Sequence, residues 1–237
     1  MNKTNTVLHY LKQNTLDNIN EIGFIENNHI SDVEIVGSSV LIRGTSDRNW
    51  VYISCANNDD LQLIKDRLTD KDQNFGAIDN WIVPHLLEGK TRQWKLECEQ
   101  FYLPNEINLP KPIHDTSALS LEDVDAIYNN STYQQYISKE YIADRIKNGV
   151  SAGVYENDLL VAWGMTQDDG GLGFLHVLDD HRRKGYGLSV TLALIDAVRK
   201  NGKIPFTYLE EDNVRSKNLV NKLGFKPLKK IQWFQII

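Results

Sequence analysis

The segment Leu103-Pro104-Asn105-Glu106-Ile107-Asn108-Leu109-Pro110-Lys111-Pro112 constrains this chain more than any other stretch. Its three prolines fall within nine residues, which disfavours helix, and an interior strand ladder cannot absorb them because each lacks an N–H donor. The segment therefore reads as a linker. It separates an N-terminal domain, residues 1–105, from a C-terminal domain, residues 115–237, and each is long enough to bury a core of its own.

Composition then removes several classes. Of the 237 residues, 41% are hydrophobic and 24% charged, so the chain is neither disordered nor fibrous. Its 26 basic and 32 acidic side chains leave a net charge of −6, which argues against a general nucleic-acid or anionic-membrane binder. No apolar run reaches the roughly 18 residues of a membrane span. The opening Met1-Asn2-Lys3-Thr4-Asn5-Thr6 lacks the apolar region of a signal peptide, so a cytoplasmic location is expected. Cys55 and Cys98 are the only cysteines; both sit in strand-like apolar surroundings and read as core or near-core thiols, not as a disulfide or a zinc site.

Periodicity makes the N-terminal half α+β. Val7, Leu8, Tyr10, Leu11, Leu16, Ile19 and Ile22 recur at helical spacing, and strand-like runs follow at 33–36, 40–43 and 50–55. Residues 59–68 read as helix, with Asp59 and Asp60 suited to its first turn; a short helix is expected near 80–87 and a strand over 92–102. No catalytic spacing emerges there. His85, Trp81 and Trp94 are pocket candidates that read more simply as core or surface packing.

The C-terminal half is more regular. Two helices, 121–128 after the N-cap Ser120 and 139–146, precede strands at 151–155 and 159–166 joined by the turn Asn157-Asp158. A strand over 172–177, a helix over 188–200, a strand over 204–209, a helix from Asn213 to Leu223 and a last strand over 231–237 that closes the sheet complete a mixed α/β pattern.

Chemistry concentrates in Val177-Leu178-Asp179-Asp180-His181-Arg182-Arg183-Lys184-Gly185-Tyr186-Gly187, which follows a strand and opens a helix. Gly185 and Gly187 permit a tight turn and a close backbone approach to a ligand, and a helix N-terminus favours an anion. Arg182, Arg183 and Lys184 invert the local charge of an acidic chain, as a phosphate-bearing ligand would require. The Rossmann fingerprint lacks its third glycine, since Val190 stands there, and no Walker loop is present. A solvated helix start with chance glycines remains the plain alternative.

The pattern Val-x-x-x-x-Arg-x-x-Gly-x-Gly over 177–187 resembles motif A of the GNAT superfamily of acyl-CoA-dependent N-acyltransferases. The later Asn213-x-x-Ser216-x-x-Leu219-x-x-x-Leu223-Gly224-Phe225 resembles the superfamily's next segment, so the likeness covers roughly residues 115–237. Ser151-Ala152-Gly153-Val154-Tyr155 with Val161-Ala162-Trp163 is similar to the glycine N-acyltransferase-like branch, where the catalytic domain follows a degenerate GNAT-like N-terminal half. The resemblance implies a central twisted mixed sheet flanked by helices, preceded by a smaller, degenerate GNAT-like half that shapes the acceptor side. It implies N-acetyltransfer from acetyl-CoA, or another acyl-CoA, to the amine of a small molecule or amino acid, by direct attack in a ternary complex and without a metal.

By the same resemblance, Arg182, Arg183, Lys184, Gly185, Tyr186 and Gly187 would cradle the pyrophosphate, and the backbone at Val177 would pair with the pantetheine arm. Asn213 and Ser216 would face that arm, although capping their helix explains both equally. The tyrosine that commonly protonates the departing thiolate is absent, because Val220 follows Leu219. Tyr186 and Tyr208 are substitutes without further support. The base is open between His176, Glu210 or Glu211, and water, because an expected bulge in the strand makes side-chain parity undecidable. A catalytically silent acyl-CoA-binding module is the alternative. Many relatives are homodimers, though no apolar stripe here can be assigned to such a contact.

Overall fold

The computed structural model describes residues 2–237. The chain divides into two compact units. The first runs to Gln100 and takes in Glu210–Asp212 and Lys229–Ile237; the second comprises Phe101–Leu209 and Asn213–Leu228. Among the described residues no helix is long and apolar enough to cross a membrane.

The first unit opens with α1 (Lys3–Leu11) and α2 (Ile19–Asn27), followed by β1 (His29–Val36), β2 (Ser39–Thr45) and β3 (Asn49–Ser54) as an antiparallel meander. Then come α3 (Asn58–Lys65), β4 (Asn74–Asp79), α4 (Val83–Leu86) and β5 (Arg92–Tyr102). Helix α3 begins where the acidic pair stands, with the Asn57 side chain accepting from the Asp60 N–H. Strand β4 is the element that periodicity misses: Gly76 interrupts it and Ala77 takes a φ of 51°. Tertiary packing nevertheless holds it, since Phe75 is fully buried and stacks on Phe234 with ring centroids 5.1 Å apart.

In the second unit, Ser120 and Asp123 form a capping box that starts a short 3-10 turn leading into α5 (Val124–Asn129). Helix α6 (Lys139–Asn148) precedes β6 (Ser151–Glu156) and β7 (Leu159–Thr166). Their hairpin turns through Asn157 and Asp158 at φ 49° and 66°, the left-handed geometry such two-residue loops need. Next are β8 (Leu172–Val177), α7 (Tyr186–Lys200), β9 (Phe206–Leu209) and α8 (Val214–Leu223). The sheet order is β9-β8-β7-β6, with β8 and β9 parallel and the other neighbours antiparallel. Ala162 of β7 packs into a core with Val190, Leu194 and Ile195 of α7. Trp163 and Met165 enter a second core with Ile127 of α5 and Ile142 of α6, so each strand face has its own helices.

The proline-rich segment is packed along α7. Near the helix C-terminus Arg199 donates to the carbonyls of Pro104 at 2.8 Å and Ile107 at 3.0 Å. Near the N-terminus the Ser189 hydroxyl accepts from the N–H groups of Ile113 and His114, both at 3.2 Å. Prolines donate nothing, but carbonyls along the segment still accept, and Ile107 and Leu109 pack on the core.

Strand β10 (Lys226–Ile236) departs from the sequence expectation. It pairs antiparallel with β4, from Ile231 opposite Asp79 to Gln235 opposite Asn74, and does not close the sheet of the C-terminal half. The first unit's sheet thus reads β1-β2-β3-β4-β10-β5, around a core that includes Val51, Ile53, Phe75, Ile78 and Phe234. Both units are mixed α/β, each a mixed sheet flanked by helices.

Candidate active site

Strand β8 carries the site's geometry. Against β7, Trp163 stands opposite His176 and Met165 opposite Gly173, so β8 spends one residue more than its partner. The extra residue makes a bulge in which Phe174 adopts a φ of 54°. On its other edge β8 registers with β9 at Leu172 opposite Thr207, where the Thr207 hydroxyl also donates to the Leu172 carbonyl at 2.7 Å. No further pair follows toward Val177 among the described residues, so the two parallel strands part. The β8 backbone edge beyond Leu172 is left outside that ladder, able to hydrogen-bond an extended polar chain.

At the end of β8 the chain makes a 3-10 turn over Asp179–His181 and reaches the glycine loop. The Arg182 Nε donates to the Val177 carbonyl at 3.2 Å and its guanidinium lies 2.6 Å from Asp179, so Arg182 braces the loop itself. Arg183 and Lys184 are exposed. Gly185 is the N-cap of α7 at φ 91°; it supplies no side-chain cap, and no acidic residue occupies the first helical turn. The first-turn N–H groups and the positive end of a 15-residue helix are therefore presented together, an arrangement that fits a pyrophosphate. A Cβ at Gly187 would lie 3.3 Å from Val177 Cγ2, a tight contact to which that side chain must yield by a few tenths of an ångström.

The second motif behaves partly as its capping reading requires. The Asn213 Oδ1 accepts from the Ser216 N–H at 3.2 Å and starts α8. Val220 is buried in a core cluster with Val198 and Leu223, so an inert side chain fills the position where the resembled motif implies a tyrosine. Of the substitutes, the Tyr208 hydroxyl donates to the buried Asp169 and the Tyr186 hydroxyl donates to Glu156.

The base candidates fall in different places. His176 is half-buried on β8 with its ring stacked on Trp163. Burial, and then the nearby Arg182, hold its pKa below 6.5, while Asp179 pulls weakly the other way. Glu210 and Glu211 belong to the first unit and line an open recess of about 420 Å3 with Lys95, Leu96, Glu97 and Asp212. The pocket candidates of the N-terminal half do not converge. His85 lines a recess of about 360 Å3 with Lys65, Phe75 and Ile236; Trp81 is exposed, and Trp94 packs edge-on against Trp50. Burial pushes the Cys98 thiol up to about 12 and raises that of Cys55, consistent with structural thiols. No cluster of three or more His, Cys, Asp or Glu able to hold a metal occurs among the described residues.

Two residues at the loop escaped sequence reasoning. Glu156, at the end of β6, contacts His181 and Tyr186, and His114 contacts Lys184. They lie far from the loop in sequence, and no spacing rule links them to it.

Residues 149–234 match the family model described as FR47-like protein. Comparison with curated proteins found no match. Among solved structures, a Drosophila protein of 17% identity aligns over 99% of this chain and 95% of its own with a TM-score of 0.81. A GCN5-related N-acetyltransferase from Kribbella flavida, 12% identical, aligns over 93% and 95% with a TM-score of 0.59. A tandem GNAT protein from the clavulanic acid biosynthesis pathway, 11% identical, aligns over 99% and 94% with a TM-score of 0.55. At these identities the likeness is one of fold. The chain shares the fold of these GNAT structures, and residues 149–234 resemble the FR47-like family model. Neither comparison singles out the glycine N-acyltransferase-like branch.

Proposed function

We propose that this protein transfers an acyl group, acetyl in the simplest case, from an acyl-CoA to the amine of a small molecule or amino acid. The observation that carries the reading is the parting of β8 from β9 beyond Leu172 and Thr207, directly before a glycine loop that opens α7 without a side-chain cap. In this reading the second unit, Phe101–Leu209 with Asn213–Leu228, is the cofactor domain; the expected boundaries at 105 and 115 give way because the last strand pairs with β4 of the first unit. Backbone N–H groups from Arg183 to Gly187 hold the pyrophosphate, aided by the charges of Arg183 and Lys184, while the Arg182 N–H donates to the Asp179 carbonyl and braces the loop. The β8 backbone at Val177 pairs with the pantetheine amides and orients the thioester carbonyl; Asn213 and Ser216 face the same arm. Acetyl-CoA supplies an acyl thioester whose thiol, of pKa about 8.5, leaves without strong acid assistance.

His176 is the favoured proton acceptor. An amine of pKa about 10 must lose a proton before it attacks, and the half-buried imidazole sits on the bulged strand beside the opening. Glu210 is the second choice. Attack is direct, because neither cysteine lies on the cofactor strand or loop: Cys55 and Cys98 both belong to the first unit.

Calorimetry with acetyl-CoA tests the cofactor claim; absence of binding at hundreds of micromolar, set against the about 1 μM–1 mM span of common KM values, overturns it. Thiol release across an amine panel tests the transfer. A second reading, an acyl-CoA-binding module without turnover, is favoured by the buried Val220, and binding without thiol release on a broad panel would select it.

A further inference from the structure

We propose that Glu156 is a positioning residue that holds the acyl-CoA loop in its binding shape; the role in binding rests on the acyl-CoA reading above. Its carboxylate is divided between two partners. One oxygen accepts from the Tyr186 hydroxyl, and the other lies 3.2 Å from His181 Nε2. These partners bracket the loop, since His181 ends the 3-10 turn and Tyr186 opens α7. A single carboxylate at the end of β6 thus spans residues 182–185.

The spanned segment needs holding. Arg183 sits at φ 63°, a left-handed conformation that a non-glycine residue keeps only when its surroundings over-determine it, and Gly185 follows at φ 91°. The Tyr186 ring is buried and lies against His114, with centroids 4.3 Å apart. His114 Nε2 donates to the Lys184 carbonyl at 2.7 Å, which requires the proton on that nitrogen. The loop is therefore fixed from the sheet by Glu156 and from the proline-rich segment by His114. His181 Nδ1 is buried without a hydrogen-bond partner, so its contact with Glu156 is what offsets the burial of the ring. Glu156 itself fills no core, its side chain being 35% exposed, so its removal costs the loop its tether and little packing.

The test compares wild type, Glu156→Gln and Glu156→Ala by acetyl-CoA calorimetry, by steady-state kinetics and by amide hydrogen exchange of the ligand-free proteins. Glu156→Ala is expected to weaken acetyl-CoA binding about tenfold, the scale of losing a charge-assisted bond, and to raise the acetyl-CoA KM without lowering kcat. Exchange should accelerate over residues 181–188 and stay unchanged in α6 and β7. Glu156→Gln, which keeps an acceptor for Tyr186, should fall between. Unchanged exchange over 181–188 in the alanine variant overturns the proposal, as does wild-type affinity where acetyl-CoA binds. If wild type itself does not bind acetyl-CoA, the functional reading fails and exchange alone decides the positioning claim. Should the alanine variant not fold, Tyr186→Phe removes only the hydroxyl tether: faster loop exchange supports the proposal, and unchanged exchange overturns it.

Discussion

His176 lies nearly flat on Trp163, with ring centroids 4.6 Å apart and planes at 22°, as one opposed pair of the β7–β8 ladder. The stack helps bury the imidazole on the bulged strand and keeps it neutral at physiological pH, the state a general base needs. Rates measured between about pH 5 and pH 9 should show the acid limb of kcat/KM below 6.5, and His176→Gln should lower kcat about a hundredfold with the acetyl-CoA KM unchanged. Wild-type kcat in that variant would pass the role to Glu210, Glu211 or water. The same depressed pKa has a stability sign. Below 6.5 the unfolded chain binds the proton more readily than the fold does, so this contribution is present above 6.5 and is lost as pH falls toward the folded value. Chemical denaturation of wild type and His176→Gln over that range should show the smaller pH slope in the variant.

Gly187→Glu should remove acetyl-CoA binding while the protein stays folded. The new Cβ meets Val177 Cγ2 at 3.3 Å, a tight contact, and the added carboxylate faces the site proposed for pyrophosphate. Calorimetry paired with a thermal melt checks both halves; retained affinity would show that the loop is misassigned.

Asn213→Ala should cost about 1 kcal/mol by removing the cap on α8, whereas Asn213→Asp, an equally good cap, should keep the stability. Denaturant titration reads the cap and calorimetry reads the cofactor. Weakened acetyl-CoA binding in the stable aspartate variant would mark a contact of the amide group with pantetheine; unchanged binding would leave Asn213 a cap alone.

Phe234→Ala should cost about 3–5 kcal/mol, because the ring is fully buried and stacked on Phe75. Its effect should fall on the first unit although the residue stands near the C-terminus. Hydrogen exchange should accelerate in β3 and β4 ahead of β7 and α7; the reverse order would contradict the strand pairing.

The sequence by itself determined the local elements and the class of loop. The 3-10 turn leading into α5 begins where Ser120 stands and α8 begins after Asn213, because a cap is satisfied by backbone within three residues, and the acidic pair Asp59-Asp60 falls in the first turn of α3. The β6–β7 turn follows from Asn157-Asp158, and the strand–glycine–helix order of 172–200 places a loop that favours an anion at the start of α7. Tertiary structure alone decided the rest. Alternating apolar residues mark β10 as buried but do not name its partner, and only packing against Phe75 assigned it to β4. Gly76 and Ala77 hid β4, whose order comes from neighbours and not from propensity. The bulge at Phe174 set His176 opposite Trp163, which parity along the strand could not foresee. Glu156 and His114 reached the loop from remote segments, because side chains that converge on a site are joined by chain folding and not by spacing in the chain.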